Sequence, residues 1–117
     1  MSGSVAYHSG RVAEDIVAEH YIRRGFKIAH KRWRGAGGEI DLIARDGDAL
    51  IFIEVKKSRS FARAAERLSP RQIQRIFDTA SEFVSGEPNG QLTDMRFDVA
   101  MVDGQGRIEI LENALGI

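Results

Sequence analysis

Glu39-Ile40-Asp41-Leu42-Ile43-Ala44-Arg45, then Asp46-Gly47-Asp48-Ala49, then Leu50-Ile51-Phe52-Ile53-Glu54-Val55-Lys56-Lys57: these consecutive segments decide the fold of the chain. The outer two carry the apolar residues of β-strands, and the Asp-Gly between them is a strong hairpin signal, so 39–45 and 50–57 read as paired strands. The second is apolar on both faces from Leu50 to Ile53, which predicts a central strand covered on both sides. Alternation along a strand puts Glu39 and Asp41 on one face with Ile43, and Glu54 and Lys56 on one face with Leu50 and Phe52. If Arg45 pairs with Leu50 across a four-residue turn, Asp41 stands opposite Glu54 and Glu39 opposite Lys56. Directly opposed Cβ atoms lie about 5 Å apart, whereas a slip of one residue would send Asp41 to the other face.

Two carboxylates at that spacing repel by roughly 3 kcal/mol at an effective dielectric near 20, and Glu39 adds to the repulsion. A divalent cation resolves it. Hard oxygen ligands, with no cysteine and no paired histidine, suit Mg²⁺ or Mn²⁺ rather than Zn²⁺. Such an ion acts as a Lewis acid on a phosphoryl oxygen and lowers the pKa of its water. Lys56, two residues past Glu54, would orient or help deprotonate that water, or neutralise charge on a phosphate. The plainer alternative makes Glu39 and Asp41 solvated residues of an exposed strand and Glu54–Lys56 a local ion pair. Against it, Glu54 and Lys56 sit in the most apolar strand, where unpaired charge is expensive.

Outward from the hairpin, Val12, Ala13, Ile16, Val17 and Tyr21 recur at helical spacing and predict a helix over 10–24, closed by Gly25. A strand over 26–33 follows, and 35–38 is a glycine-rich turn. Residues 58–68 lack apolar periodicity and are read as a loop. Ser69-Pro70 pairs an N-cap with a proline at the first helical position, opening a helix to about 85 with Ile73, Ile76, Phe77, Ala80 and Val84 on one stripe. Strands over 95–102 and 107–111 complete an α-β-β-β-α-β-β order. The long crossover between the third and fourth strands suits a parallel pair, giving an α/β fold with one central mixed sheet flanked by helices.

The 117 residues amount to one domain, 1–117, with 1–9 expected to be flexible. With no cysteine, the chain has no disulfide framework or thiolate metal site and fits a reducing compartment. It has no apolar run of membrane-spanning length, so a cytoplasmic protein without a membrane role is expected. The 17 basic and 17 acidic residues cancel, but they are segregated. Residues 23–75 hold 14 bases and six acids, and residues 76–117 hold two bases and eight acids. A neutral sum therefore does not exclude an anionic partner, because binding responds to the local field.

Glu39-Ile-Asp-Leu-Ile-Ala44, the short hairpin and Ile51-Phe-Ile-Glu-Val-Lys56 resemble the core of the YraN-like family. That family belongs to the restriction-endonuclease-like PD-(D/E)xK nuclease superfamily. The resemblance extends to Gly10-Arg-Val-Ala-Glu14, Trp33-Arg34, Ser69-Pro70-Arg71 and Arg96-Phe97-Asp98-Val99. It implies a restriction-endonuclease-like fold, Asp41 and Glu54 as metal ligands, Lys56 as the catalytic lysine and Glu14 as a further acid from the first helix. Ile40 stands where the superfamily pattern has proline. The arginine common two residues after the lysine is replaced by Ser58, with Arg59 next.

Basic residues flank the acidic cluster on both sides, as backbone-directed nucleic-acid binding requires. Arg32 and Arg34 before it, with Lys57, Arg59, Arg71 and Gln72 after it, are the candidate contacts, and Trp33 is expected to pack rather than stack on a base. The expected activity is metal-dependent hydrolysis of DNA phosphodiester bonds (DNA in preference to RNA), selective for structure rather than sequence, in a protein able to act as a homodimer. The alternative is a non-catalytic nucleic-acid-binding or assembly module that keeps the nuclease fold.

Overall fold

Asp46 pairs with Ala49 and Arg45 with Leu50 in a computed structural model that describes residues 10–57 and 69–114. The turn is therefore tighter than the four residues expected, with only Gly47 and Asp48 unpaired, but the predicted register stands. Gly47 takes φ 61°, the left-handed conformation that the first loop position of such a hairpin demands. The elements are α1 (Gly10–Arg23), β1 (Lys27–Arg34), β2 (Glu39–Asp46), β3 (Ala49–Lys57), α2 (Pro70–Val84), a single 3-10 turn at Gly90–Leu92, β4 (Met95–Val102) and β5 (Ile108–Leu111). They form one five-stranded sheet in the order β1-β2-β3-β4-β5. Among the described strands only β3 and β4, joined through α2, run parallel. This is the α/β arrangement that the sequence predicts; the loop read over 58–68 and the segment 1–9 lie outside the described residues.

Among the described residues, α1 and α2 cover opposite faces, as the doubly apolar β3 requires. Ile51 and Ile53 pack with Ala13, Val17 and Tyr21 of α1, while Leu50 and Phe52 pack with Ile76, Ala80 and Val84 of α2. Gly25 ends α1 in the left-handed conformation at φ 96°. At the start of α2 the Ser69 hydroxyl accepts a hydrogen bond from the Gln72 N–H at 3.2 Å. Phe52 is 1% exposed and stacks on Phe97 with ring centroids 5.3 Å apart. Phe52→Ala should therefore cost about 3–5 kcal/mol in urea denaturation. A loss below about 1 kcal/mol would mean that this face of the sheet is not the core. Among the described residues, no helix is long and apolar enough to cross a membrane.

The β2–β3 ladder stops at Leu42–Ile53. Beyond that point β2 continues along β1 to the Arg34–Glu39 pair, and β3 continues along β4 to the Lys57–Val102 pair. The sheet forks, and the acidic residues lie where it opens.

Candidate functional site

Asp41 is the first β2 residue beyond the last ladder pair, so its neighbour on β3 has a main-chain donor without a strand partner. The carboxylate supplies the acceptor: Oδ2 takes the Val55 N–H at 2.8 Å. Regular alternation fails here, which corrects the expected face assignment. Ile40 and Ile43 both join the α2-side cluster, while Leu42 joins the α1-side cluster. A strict period of two cannot place 40 and 43 together, and the irregularity falls at Asp41, which turns toward β3. The expected opposition of Glu39 and Lys56 is also corrected. The ladder does not reach them, and Glu39 instead pairs with Arg34 of β1, Nη2 to Oε2 3.3 Å.

Glu54 borders a crevice too narrow for a water molecule, with Ile40, Phe52, Ile76 and Phe97. Its Oε1 is buried without a hydrogen-bond partner. Burial, then the neighbouring Asp41 carboxylate, push the Glu54 pKa from 4.5 up to about 8; Lys56 and the Asp41 main chain oppose the rise. Asp41 is shifted in the same direction, first by burial and then by the charges of Glu14 and Glu39, against the pull of the Val55 N–H and Lys56. The structure therefore brings Asp41, Glu54 and Lys56 together, with Glu39 at the rim and Glu14 within electrostatic reach.

Glu14 arrives from α1, buried on the packed side of the helix. Its Oε1 accepts a hydrogen bond from Arg32 Nε at 2.8 Å. Next to this pair, Lys31 Nζ reaches Asp15 at 3.1 Å. Two consecutive β1 residues thus reach consecutive acids of α1, which an alternating strand does not allow. The exception is visible in the backbone, where Arg32 has φ 54°. Trp33 turns to the other face and packs edge-on against Phe83 at 5.2 Å, as expected.

Of the basic residues predicted to meet a phosphate backbone, Arg34, Lys57 and Arg71 are exposed, and Gln72 is half-buried in the first turn of α2. Arg32 is committed to Glu14. Arg59 lies outside the described residues. The arginine–glutamate pairing across α1 and β1 had no sequence signal of its own. In retrospect Glu14-Asp15 and Lys31-Arg32 are matched doublets.

Do these groups suit a divalent cation? Among the described residues, no group of three or more His, Cys, Asp or Glu side chains is arranged to hold one. Mg²⁺ does not need three, because it keeps several waters and is often bound by one or two carboxylates together with substrate phosphates. Two adjacent carboxylates, one with a buried, unpartnered oxygen, fit that requirement. Asp41 and Glu54 are the residues that would hold the ion.

Comparison with known proteins returns one family model, an uncharacterised protein family, UPF0102, matching residues 13–102. The chain is 63% identical to a UPF0102 protein of Cereibacter sphaeroides over 114 residues, 97% of each chain. It is 57% identical to one from Ruegeria pomeroyi, over 97% of this chain and 93% of that one. A relative from Dinoroseobacter shibae is 49% identical over 95% of this chain and 83% of its own.

Proposed function

The chain belongs to the uncharacterised protein family UPF0102, the YraN-like proteins, and from that premise we propose that it is a divalent-cation-dependent nuclease hydrolysing DNA phosphodiester bonds. The observation that carries the reading is the fork itself. Two carboxylates share one desolvated opening, where Glu54 has a bare oxygen and both acids are pushed toward protonation. The mutual repulsion of the two acids and the bare Glu54 oxygen oppose folding, and strongly perturbed acids cluster at sites that act on ligands. When bound there, Mg²⁺ or Mn²⁺ supplies Lewis acidity and a water of low pKa.

The chain's own residues do the rest. Asp41 is fixed by the Val55 N–H, so the orientation of its carboxylate is set before any ligand arrives. Lys56 Nζ, on the same strand as Glu54, donates to charge developing on a phosphoryl oxygen or orients the attacking water. Arg34, Lys57 and Arg71 hold the phosphate backbone, which positions a substrate without reading its sequence. That favours selection by DNA structure.

The test is to incubate the protein with branched, single-stranded and duplex DNA in Mg²⁺, Mn²⁺ or EDTA, alongside Lys56→Ala. Cleavage is expected only with metal, and about 100-fold slower or worse in the variant. Binding without cleavage on every substrate would favour the second reading, a non-catalytic nucleic-acid-binding module. One observation supports that alternative: Glu14, the third acid near the fork, is taken up by Arg32.

A further inference from the structure

Arg32 is the most unusual residue of the described chain outside the acidic pair. It is one of two non-glycine residues with positive φ, and the other, Asn113, is of a type that tolerates this conformation. For an arginine inside a strand, the left-handed conformation is strained. That strain has a definite geometric result. Lys31 already reaches α1, so alternation would carry Arg32 to the α2 face, away from Glu14. The backbone reversal brings it to the α1 face instead, and its Nε meets Glu14 Oε1 at 2.8 Å.

The pair is unequal. The Glu14 side chain is 11% exposed and the Arg32 side chain 39%, so the cation lies on the solvent side of a buried acid. In the β1–β2 register Arg32 falls between Lys31–Leu42 and Trp33–Ile40, and so stands across from Asp41. The charges of Glu39 and Asp41 act on the guanidinium after that of Glu14. An ion pair that only tied helix to strand could be made by a residue with ordinary geometry. This one places a positive charge within reach of Glu14, Glu39 and Asp41 on the α1 side of the fork.

We propose that Arg32 is a positioning residue that holds Glu14 in place of a divalent cation and exchanges it for a substrate phosphate when the cation enters. The inference rests on the nuclease reading and deepens it by linking cation binding to DNA binding. With a doubly charged ion at Asp41 and Glu54, the guanidinium is repelled. Its planar fork, already at the solvent boundary of an edge strand next to exposed Arg34, then suits a phosphate in bidentate fashion. Cation and DNA should therefore each strengthen the other's binding, through a coupling that is necessarily reciprocal.

The experiment follows the Arg32 Nε–Hε resonance in ¹⁵N-labelled protein. Samples are in EDTA, in saturating Mg²⁺, and in Mg²⁺ with a short phosphorothioate-linked duplex, with side-chain carboxyl carbons observed in parallel. The signal should sit at a salt-bridged position in EDTA, move on adding Mg²⁺ and move again with the duplex. Glu14→Gln should displace it already in EDTA. Arg32→Gly accepts φ 54° without strain and so keeps the fold. It should bind Mg²⁺ roughly tenfold tighter than the wild type in the absence of DNA, having lost a competing charge, and lose most of the Mg²⁺ dependence of duplex binding. Arg32→Lys should retain part of that dependence. If Mg²⁺ shifts the Asp41 and Glu54 carboxyl carbons but leaves Arg32 in place, the pair is a structural strut and the exchange is wrong. If Mg²⁺ shifts none of them, the nuclease reading falls with it.

Discussion

Asp41→Asn is expected to slow DNA cleavage by about a thousandfold or more while leaving the melting temperature within a few degrees of the wild type. Asparagine keeps a carbonyl oxygen where Oδ2 accepts the Val55 N–H at 2.8 Å, so the fork retains its internal hydrogen bond. What disappears is the negative charge that would help hold a cation. Losing several kcal/mol of metal-derived transition-state stabilisation amounts to about three orders of magnitude in rate. Asp41→Ala is a poorer test, because it leaves the Val55 N–H without an acceptor at a cost of about 1–3 kcal/mol and confuses chemistry with folding. Single-turnover cleavage at saturating Mg²⁺, beside a thermal melt, separates the two. An Asn variant retaining a tenth of the wild-type rate would remove Asp41 from the machinery.

That hydrogen bond also marks where sequence reasoning stopped working. The hairpin was legible because both flanks are apolar and the turn carries Asp-Gly, and Arg45 does pair with Leu50. From the register alone one could say that Asp41 and Glu54 lie at the same level of the sheet. Alternation, however, presumes a strand paired along its length. Once the ladder to β3 ends at Leu42–Ile53, β2 is held on its β1 side alone, and Asp41 turns toward the open side to act as a substitute acceptor. The same limit hid Arg32. A left-handed residue in a strand has no composition cue when it is arginine rather than glycine, and its partner is 18 positions away on another element. Charge segregation indicated a basic surface around an acidic cluster. It could not show that part of this basic surface is already spoken for within the molecule.

The second large effect concerns stability, and its sign follows from Glu54. In the folded, metal-free protein this acid keeps its proton up to about pH 8, whereas in the unfolded chain it releases it near 4.5. Between those values the folded state binds the extra proton. The contribution to stability is therefore fully present below pH 4.5 and lost as pH rises through about 8. Asp41 is shifted the same way, so the two titrate as a pair, and the loss belongs to both. Over that window it should amount to about 2–4 kcal/mol. Glu54→Gln, which is neutral at every pH, should match the wild type near pH 4.5 and exceed it by about that margin at pH 9 in EDTA. Adding Mg²⁺ should reverse the order at high pH. The cation binds only the folded wild type and stabilises it by mass action, and its binding must expel the Glu54 proton. Denaturation curves from pH 4.5 to 9, with and without Mg²⁺, test both statements, and proton release on mixing with Mg²⁺ at pH 7 tests the second directly. A wild-type stability that stays flat across this range in EDTA would show that the fork does not hold two acids in conflict. A group that destabilises its own fold, and is relieved by the ion its chemistry calls for, is what separates a ligand site from a structural ion pair.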